Sequence, residues 1–96
     1  MTVTAWSNGG GGYGIRAGKH NRDAFFNPSW KRIEVEIDGV LHTFKLTPGF
    51  WNDCPEFRGS VIKEWLQRNH AVSWVKGKPP KFNLEAAGER RFHLEP

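Results

Sequence analysis

The clearest pattern of hydrophobic and polar positions is a strict alternation from Trp30 to Leu46, interrupted once by Asp38-Gly39. Alternation with a period of two is typical of half-buried strands. Asp-Gly between two such runs is typical of a two-residue turn, because both residues tolerate a positive φ. The pattern therefore predicts a β-hairpin. The predicted cross-strand pairs are Ile37 with Val40, Val35 with His42, and Ile33 with Phe44.

This hairpin has one apolar and one polar face, because directly opposed residues share a face of a sheet. The apolar face collects Ile33, Val35, Ile37, Val40, Phe44 and Leu46, with His42 among them. The polar face collects Arg32, Glu34, Glu36, Thr43 and Lys45. The rest of the chain must supply a cover for the apolar face.

A helical period follows the hairpin, from Pro55 to Asn69. Proline is favoured in the first turn of a helix, and the apolar positions of this segment fall on one stripe. They are Phe57, Val61, Ile62, Trp65 and Leu66. We expect this stripe to be buried against the hairpin.

The remaining elements are shorter. Candidate strands are Thr2–Trp6, Tyr13–Ala17, residues 71–75, Phe82–Leu84 and Arg90–Leu94. We predict a flexible glycine-rich loop at residues 7–14 and a polar turn at residues 18–23. We predict another turn at residues 47–49, and a turn or one frayed helical turn at residues 85–89. The prediction is one α+β domain over residues 1–96. It has a small, mostly antiparallel sheet of four or five strands, and one amphipathic helix packs on one face.

Composition narrows the setting. The chain of 96 residues suffices for one modest core, and it contains no apolar run of membrane-spanning length. The single cysteine, Cys54, excludes a disulfide within the chain. Together with an N-terminus that lacks signal-peptide features, it favours a soluble cytoplasmic protein without a membrane partner.

Sequence motifs for catalysis and cofactors are weak. The glycine run lacks the Gly-Lys-Ser/Thr of a phosphate loop, Cys54 lacks an arginine six residues later, and the four histidines lack metal-ligand spacing. We predict no catalytic residue, no metal and no cofactor. The enzyme hypothesis, ranked last, uses the polar cluster at residues 16–23. Its residues are Arg16, His20, Arg22 and Asp23, joined by Cys54 or Glu56.

The basic residues suggest a different function. The net charge is +4, and the C-terminal third mixes cations with aromatic rings. Such surfaces neutralise phosphates and stack bases. We rank nucleic-acid binding first. The predicted contact residues are Arg16, Lys19, Arg22, Trp74, Lys76, Lys78, Lys81, Phe82, Arg90 and Arg91. The alternative is a protein partner, or a second copy of the chain, bound through an unpaired sheet edge.

Overall fold

Seven strands and three helices make up this protein, which a computed structural model describes over residues 1–96. The strands are β1 (Thr2–Ser7), β2 (Tyr13–Arg16), β3 (Arg32–Ile37), β4 (Val40–Lys45), β5 (Glu56–Arg58), β6 (Lys81–Gly88) and β7 (Arg91–Glu95). The helices are α1 (Lys19–Phe25), α2 (Pro48–Asn52) and α3 (Ser60–Arg68). None of the three is long and apolar enough to cross a membrane.

All seven strands belong to one mixed sheet in the order β4-β3-β7-β6-β1-β2-β5. Only the pairing of β3 with β7 is parallel. The prediction of a mostly antiparallel sheet of four or five strands with a single helix is therefore wrong in the number of strands and of helices. The physical reason is that pairing between segments far apart in the chain, such as β3 with β7, leaves no local turn signal in the sequence.

The hairpin prediction is confirmed in register. Ile37 pairs with Val40, Val35 with His42, and Ile33 with Phe44. Asp38 and Gly39 have φ values of 50° and 81°, as a two-residue turn of this kind requires. Val40, which lies on the apolar face next to the turn, is 56% exposed.

The predicted helix from Pro55 to Asn69 begins too early. Residues Glu56–Arg58 form β5, which pairs with β2, and α3 starts at Ser60. Phe57 fits a helical stripe and a strand alternation equally well, so periodicity alone could not separate the two. The helix prediction is confirmed from Ser60 onward, where Ile62, Trp65 and Leu66 are buried. Val61 is half-buried.

Other local predictions also need correction. The polar turn predicted at 18–23 lies largely in α1, a helix with no buried residue. Its Asn21 side chain donates to the carbonyls of Thr2 and Ala17 at 2.8 and 2.9 Å. Tertiary contacts therefore hold this helix, and its sequence shows no apolar stripe. Residues 48–52 form α2, β6 continues through the turn predicted after Leu84, and residues 71–75 form no strand.

The sheet curls until its two edges nearly meet, which gives it an almost closed, barrel-like form. Phe44 of β4 and Phe57 of β5 bridge these edges, with ring centroids 5.1 Å apart. Inside, the buried hydrophobic residues form a single core. Trp65 of α3 packs against Phe82 of β6, with ring centroids 4.8 Å apart, so α3 covers strands outside the hairpin.

Candidate functional site

The loop between β1 and β2 separates two clefts on the surface. Its backbone is tied by the Asn8 side chain, which accepts from the amides of Gly10 and Gly12 at 2.7 and 3.0 Å. The Asn8 amide in turn donates to the Gly12 carbonyl at 3.1 Å. These bonds give the glycine loop a defined shape. Its predicted flexibility stays a prediction.

The first cleft has a volume of about 430 Å³ and combines aromatic with cationic side chains. It lies between the glycine loop and the junction of β5 with α3. Its lining residues are Trp6, Asn8, Gly11, Gly12, Tyr13, Arg58, Gly59, Ser60 and Lys63, and they include no carboxylate. The cleft is therefore suited to an anionic ligand that also presents a flat ring.

A row across three strands builds one wall of this cleft. Trp6 pairs with Gly14, and Gly14 pairs with Arg58, so the three residues share a face. The Arg58 guanidinium lies 4.2 Å from the Trp6 ring centroid, a cation–π contact. Since Gly14 has no side chain, the Arg58 side chain can cross it to reach the tryptophan.

A buried carboxylate holds this arginine. Arg58 Nη2 donates to Glu56 Oε1 at 2.9 Å, and Arg16 Nε lies 3.5 Å from Glu56 Oε2. The Glu56 side chain is fully buried, while the side chains of Arg16 and Arg58 are 48% and 57% exposed. Glu56 Oε2 itself makes no hydrogen bond. The arrangement is an ion-pair triad with its acid inside and its two cations facing solvent.

The second cleft lies on the other side of the glycine loop, with a volume of about 550 Å³. Its lining residues are Ser7, Asn8, Gly9, Val72, Ser73, Trp74 and Lys76, and again none is acidic. Tyr13 connects the two clefts. Its ring and the Trp74 ring form a T-shaped pair with centroids 6.5 Å apart. Its hydroxyl donates to the Val72 carbonyl at 3.0 Å, and Lys63 Nζ lies 5.9 Å from the centroid of its ring.

These residues make up what we call the glycine-loop surface. It comprises the half-buried rings of Trp6, Tyr13 and Trp74 and the cations Arg58, Lys63 and Lys76, arranged around the loop from Asn8 to Gly12. Two of its members, Trp74 and Lys76, are among the contact residues predicted from sequence.

The other contact residues predicted in the C-terminal third lie in different parts of the structure. Lys78 is exposed in the same loop as Lys76, and Lys81 is exposed at the start of β6. Phe82 is only 7% exposed and packs against Trp65, so it belongs to the core and offers no stacking surface.

Arg90 and Arg91 lie elsewhere. Arg91 pairs with Gly88 at the far end of β6, which strand geometry puts about 23 Å from Lys81. Its side chain lies 3.8 Å from Glu34, and Arg90 lines a different cleft, with Arg32, Glu34 and Thr43. The structure therefore does not bring these two arginines to the glycine-loop surface.

The predicted cations of the N-terminal third are likewise dispersed. Arg16 is paired with Glu56, and Lys19 is exposed on α1. Arg22 is 13% exposed in its side chain; it donates to the Trp51 carbonyl at 2.9 Å and pairs with Asp23 at 3.0 Å. α1 is anchored at Thr2, the opposite end of β1 from the glycine loop.

The residues of the enzyme hypothesis do not converge. His20 and Asp23 are exposed, and neither lines any of the main clefts. Cys54 is exposed as well. Of the predicted set, Arg16 meets Glu56, and Arg22 meets its chain neighbour Asp23. No three His, Cys, Asp or Glu side chains form a group that could hold a metal ion.

Sequence reasoning missed four members of the glycine-loop surface: Trp6, Tyr13, Arg58 and Lys63. Trp6 carried a usable signal, since it is a large ring on the outward, threonine side of the alternating stretch Thr2–Trp6. Arg58 and Lys63 carried none, because their surroundings depend on β5 pairing with β2.

Comparisons with protein-family models, with curated proteins and with solved structures give no match to this chain. Its function must therefore be argued from the geometry of its own residues.

Proposed function

We propose that this protein binds single-stranded nucleic acid through the glycine-loop surface. The observation that supports the proposal is that three aromatic rings and three cations lie together at two neighbouring clefts that no carboxylate lines. Aromatic faces stack bases and cations meet phosphates, and proteins that bind single strands combine the two.

Stacking contributes the part of the affinity that salt does not screen. Trp74 offers a ring in the second cleft. In the first cleft, the guanidinium of Arg58 rests on Trp6 with its side chain 57% exposed, so its outer face can accept a base. Arginine planes serve as stacking surfaces for unpaired bases.

Electrostatic attraction contributes the rest. Lys63 and Lys76 stand at the two clefts, Lys78 follows in the same loop, and the whole chain carries a net charge of +4. Each phosphate contact releases condensed counterions, so binding weakens as salt rises. Sequence preference is small, because stacking and phosphate contacts accept any base.

The half-buried position of the rings favours single strands over duplex. Trp6, Tyr13 and Trp74 are recessed beside the glycine loop. In a duplex the base faces are already stacked on one another and cannot enter such recesses, whereas unpaired bases can turn outward.

The test is a titration of fluorescently labelled single- and double-stranded DNA and RNA at about 50 and 200 mM salt, a range over which several phosphate contacts cost orders of magnitude in affinity. We expect single strands to bind more tightly than duplexes. Lys63→Glu with Lys76→Glu should weaken binding by about tenfold or more at low salt. Trp74→Ala should weaken it about fivefold or more at both salt concentrations.

The matched control is Lys19→Glu with Arg90→Glu, which makes the same change in net charge at exposed positions outside the two clefts. It should have the smaller effect. Absence of binding by the unaltered protein at low salt would refute the function. Equal effects of the two double variants would refute the location.

A second candidate function is protein–protein contact through β4. This strand is paired on one side only, and Val40 and Leu41 near its turn are 56% and 42% exposed. An unpaired edge with apolar side chains can recruit another strand through backbone hydrogen bonds. Sedimentation over a range of protein concentrations tests self-association of this kind.

A further inference from the structure

Glu56 is the only charged or polar residue in the buried set of this chain. Its carboxylate is enclosed beneath Arg16 and Arg58, although it belongs to a three-residue strand at the edge of the sheet. A buried charge is costly unless it is paired, so the position needs an explanation.

The pairing is unequal. Arg58 makes a direct hydrogen bond to Oε1 at 2.9 Å, whereas Arg16 approaches Oε2 at 3.5 Å without a hydrogen bond. Charge-assisted hydrogen bonds from a guanidinium are directional. The bond to Glu56 therefore restricts the orientation of the Arg58 guanidinium, which would otherwise be free to rotate. That guanidinium is the group that lies on Trp6.

Gly14 keeps the path between these groups open. A Cβ at this position would lie 3.2 Å from Arg58 Cγ, and the backbone carbonyl of Phe57 would be at 2.6 Å. The side chain of Arg58 thus runs closely over bare backbone, and its guanidinium contacts both the Glu56 carboxylate and the Trp6 indole.

We propose that Glu56 is a positioning residue for nucleic-acid binding: it holds the Arg58 guanidinium over the Trp6 ring so that the exposed side of the guanidinium is ready to stack a base. This inference rests on the proposed function and names the residue that prepares its stacking site. A guanidinium that is already fixed by a hydrogen bond loses less conformational entropy on binding than a free one. This smaller entropic cost increases the affinity.

Charge and positioning predict opposite effects of Glu56→Gln on binding. Glu56→Gln removes a negative charge beside the surface, and charge alone predicts tighter binding of an anionic strand. Positioning predicts weaker binding, because the neutral amide holds the guanidinium less firmly. We expect Glu56→Gln to weaken binding of labelled oligothymidylate about fivefold or more, an effect of the size of one stacked base.

Two further variants test whether the effect of Glu56→Gln on binding depends on Arg58. In an Arg58→Ala background, Glu56→Gln should not weaken binding further, since the group to be positioned is gone and only the slight gain from the lost negative charge remains. Arg58→Lys keeps the charge and removes the planar guanidinium, so it should weaken binding to a similar degree as Glu56→Gln. The Arg58→Lys variant tests the stack even if Glu56→Gln does not fold.

The matched control is Glu64→Gln, an exposed position on α3 that makes the same change in charge. It should bind equally well or slightly more tightly. If Glu56→Gln binds like this control, or weakens binding equally in the Arg58→Ala background, the positioning role is overturned while nucleic-acid binding stands. If the unaltered protein does not bind oligothymidylate at low salt, the proposed function itself fails.

Discussion

Single residues decide the geometry of the glycine-loop surface, and Gly14 is the clearest case. It lies in the middle of the row that joins Trp6 to Arg58, where any side chain would meet the neighbouring strand. The backbone carbonyl of Phe57 leaves only 2.6 Å for a Cβ, and backbone cannot move aside as the end of a flexible side chain can. Glycine is required here by close approach.

We therefore expect Gly14→Ala to lower the free energy of unfolding by about 1–3 kcal/mol, the usual cost of overpacking, because β5 must shift away from β2. Urea denaturation measures this change. It should also weaken binding of single strands, since Arg58 moves with β5.

Gly49→Ala is the matched control for this substitution. Gly49 lies in α2, and a Cβ there would make only an ordinary contact of 3.5 Å with Thr47 Oγ1. Alanine is favoured over glycine within helices, so this variant should be neutral or slightly stabilised. Equal stability of the two variants would contradict the close approach at Gly14.

Among the elements, α3 shows how much of a helix the local pattern of residues can predict. Its apolar stripe identifies the buried positions Ile62, Trp65 and Leu66, and that prediction is confirmed. The predicted start of the helix is wrong, because three of the residues assigned to it pair as a strand instead. A pairing partner outweighs helical propensity in so short a segment, since most helix stability in proteins comes from packing.

The packing of α3 can be measured with two adjacent residues. Ile62 is fully buried, whereas Val61 is half-buried. Ile62→Ala should lower the free energy of unfolding by about 2–4 kcal/mol through lost burial and a cavity. Val61→Ala should cost about 1 kcal/mol or less, because the removed methyl groups are partly solvated already.

Thermal or urea denaturation of both variants checks this difference. If Ile62→Ala unfolds like the unaltered protein, then α3 does not pack against the sheet as described. Val35→Ala, in the fully buried centre of β3, provides a second core substitution for comparison and should cost about 1–4 kcal/mol.

For the whole molecule, the unclosed sheet is the decisive feature. The strands β4 and β5 approach through Phe44 and Phe57 but each is paired on one side only. β5 has three residues, too few for extended pairing, whereas β4 has six. β4 therefore offers more unpaired backbone groups than β5 for pairing with a strand of a second chain.

Self-association through this edge should appear as concentration-dependent sedimentation. Leu41→Lys should suppress it, since charged side chains protect sheet edges from pairing. Val75→Lys is the control, because Val75 is 73% exposed but lies in the loop before β6, away from any strand edge. A monomer at all accessible concentrations would leave only a foreign partner for β4.

The sequence by itself determined the elements whose signals are local. The turn at Asp38-Gly39, the register of β3 with β4, and the buried stripe of α3 follow from periodicity and turn chemistry, which act within about twenty residues. Tertiary structure alone decided the parallel pairing of β3 with β7, the short strand β5, and the helix α1 held by Asn21.

The site divides along the same line. Trp74 and Lys76 were recognisable as a ring and a cation near each other in the chain. Their neighbours Trp6, Tyr13, Arg58 and Lys63 come from segments that only the order of strands β1, β2 and β5 brings together. Strand order depends on the packing of the whole core, and no local pattern of residues encodes it.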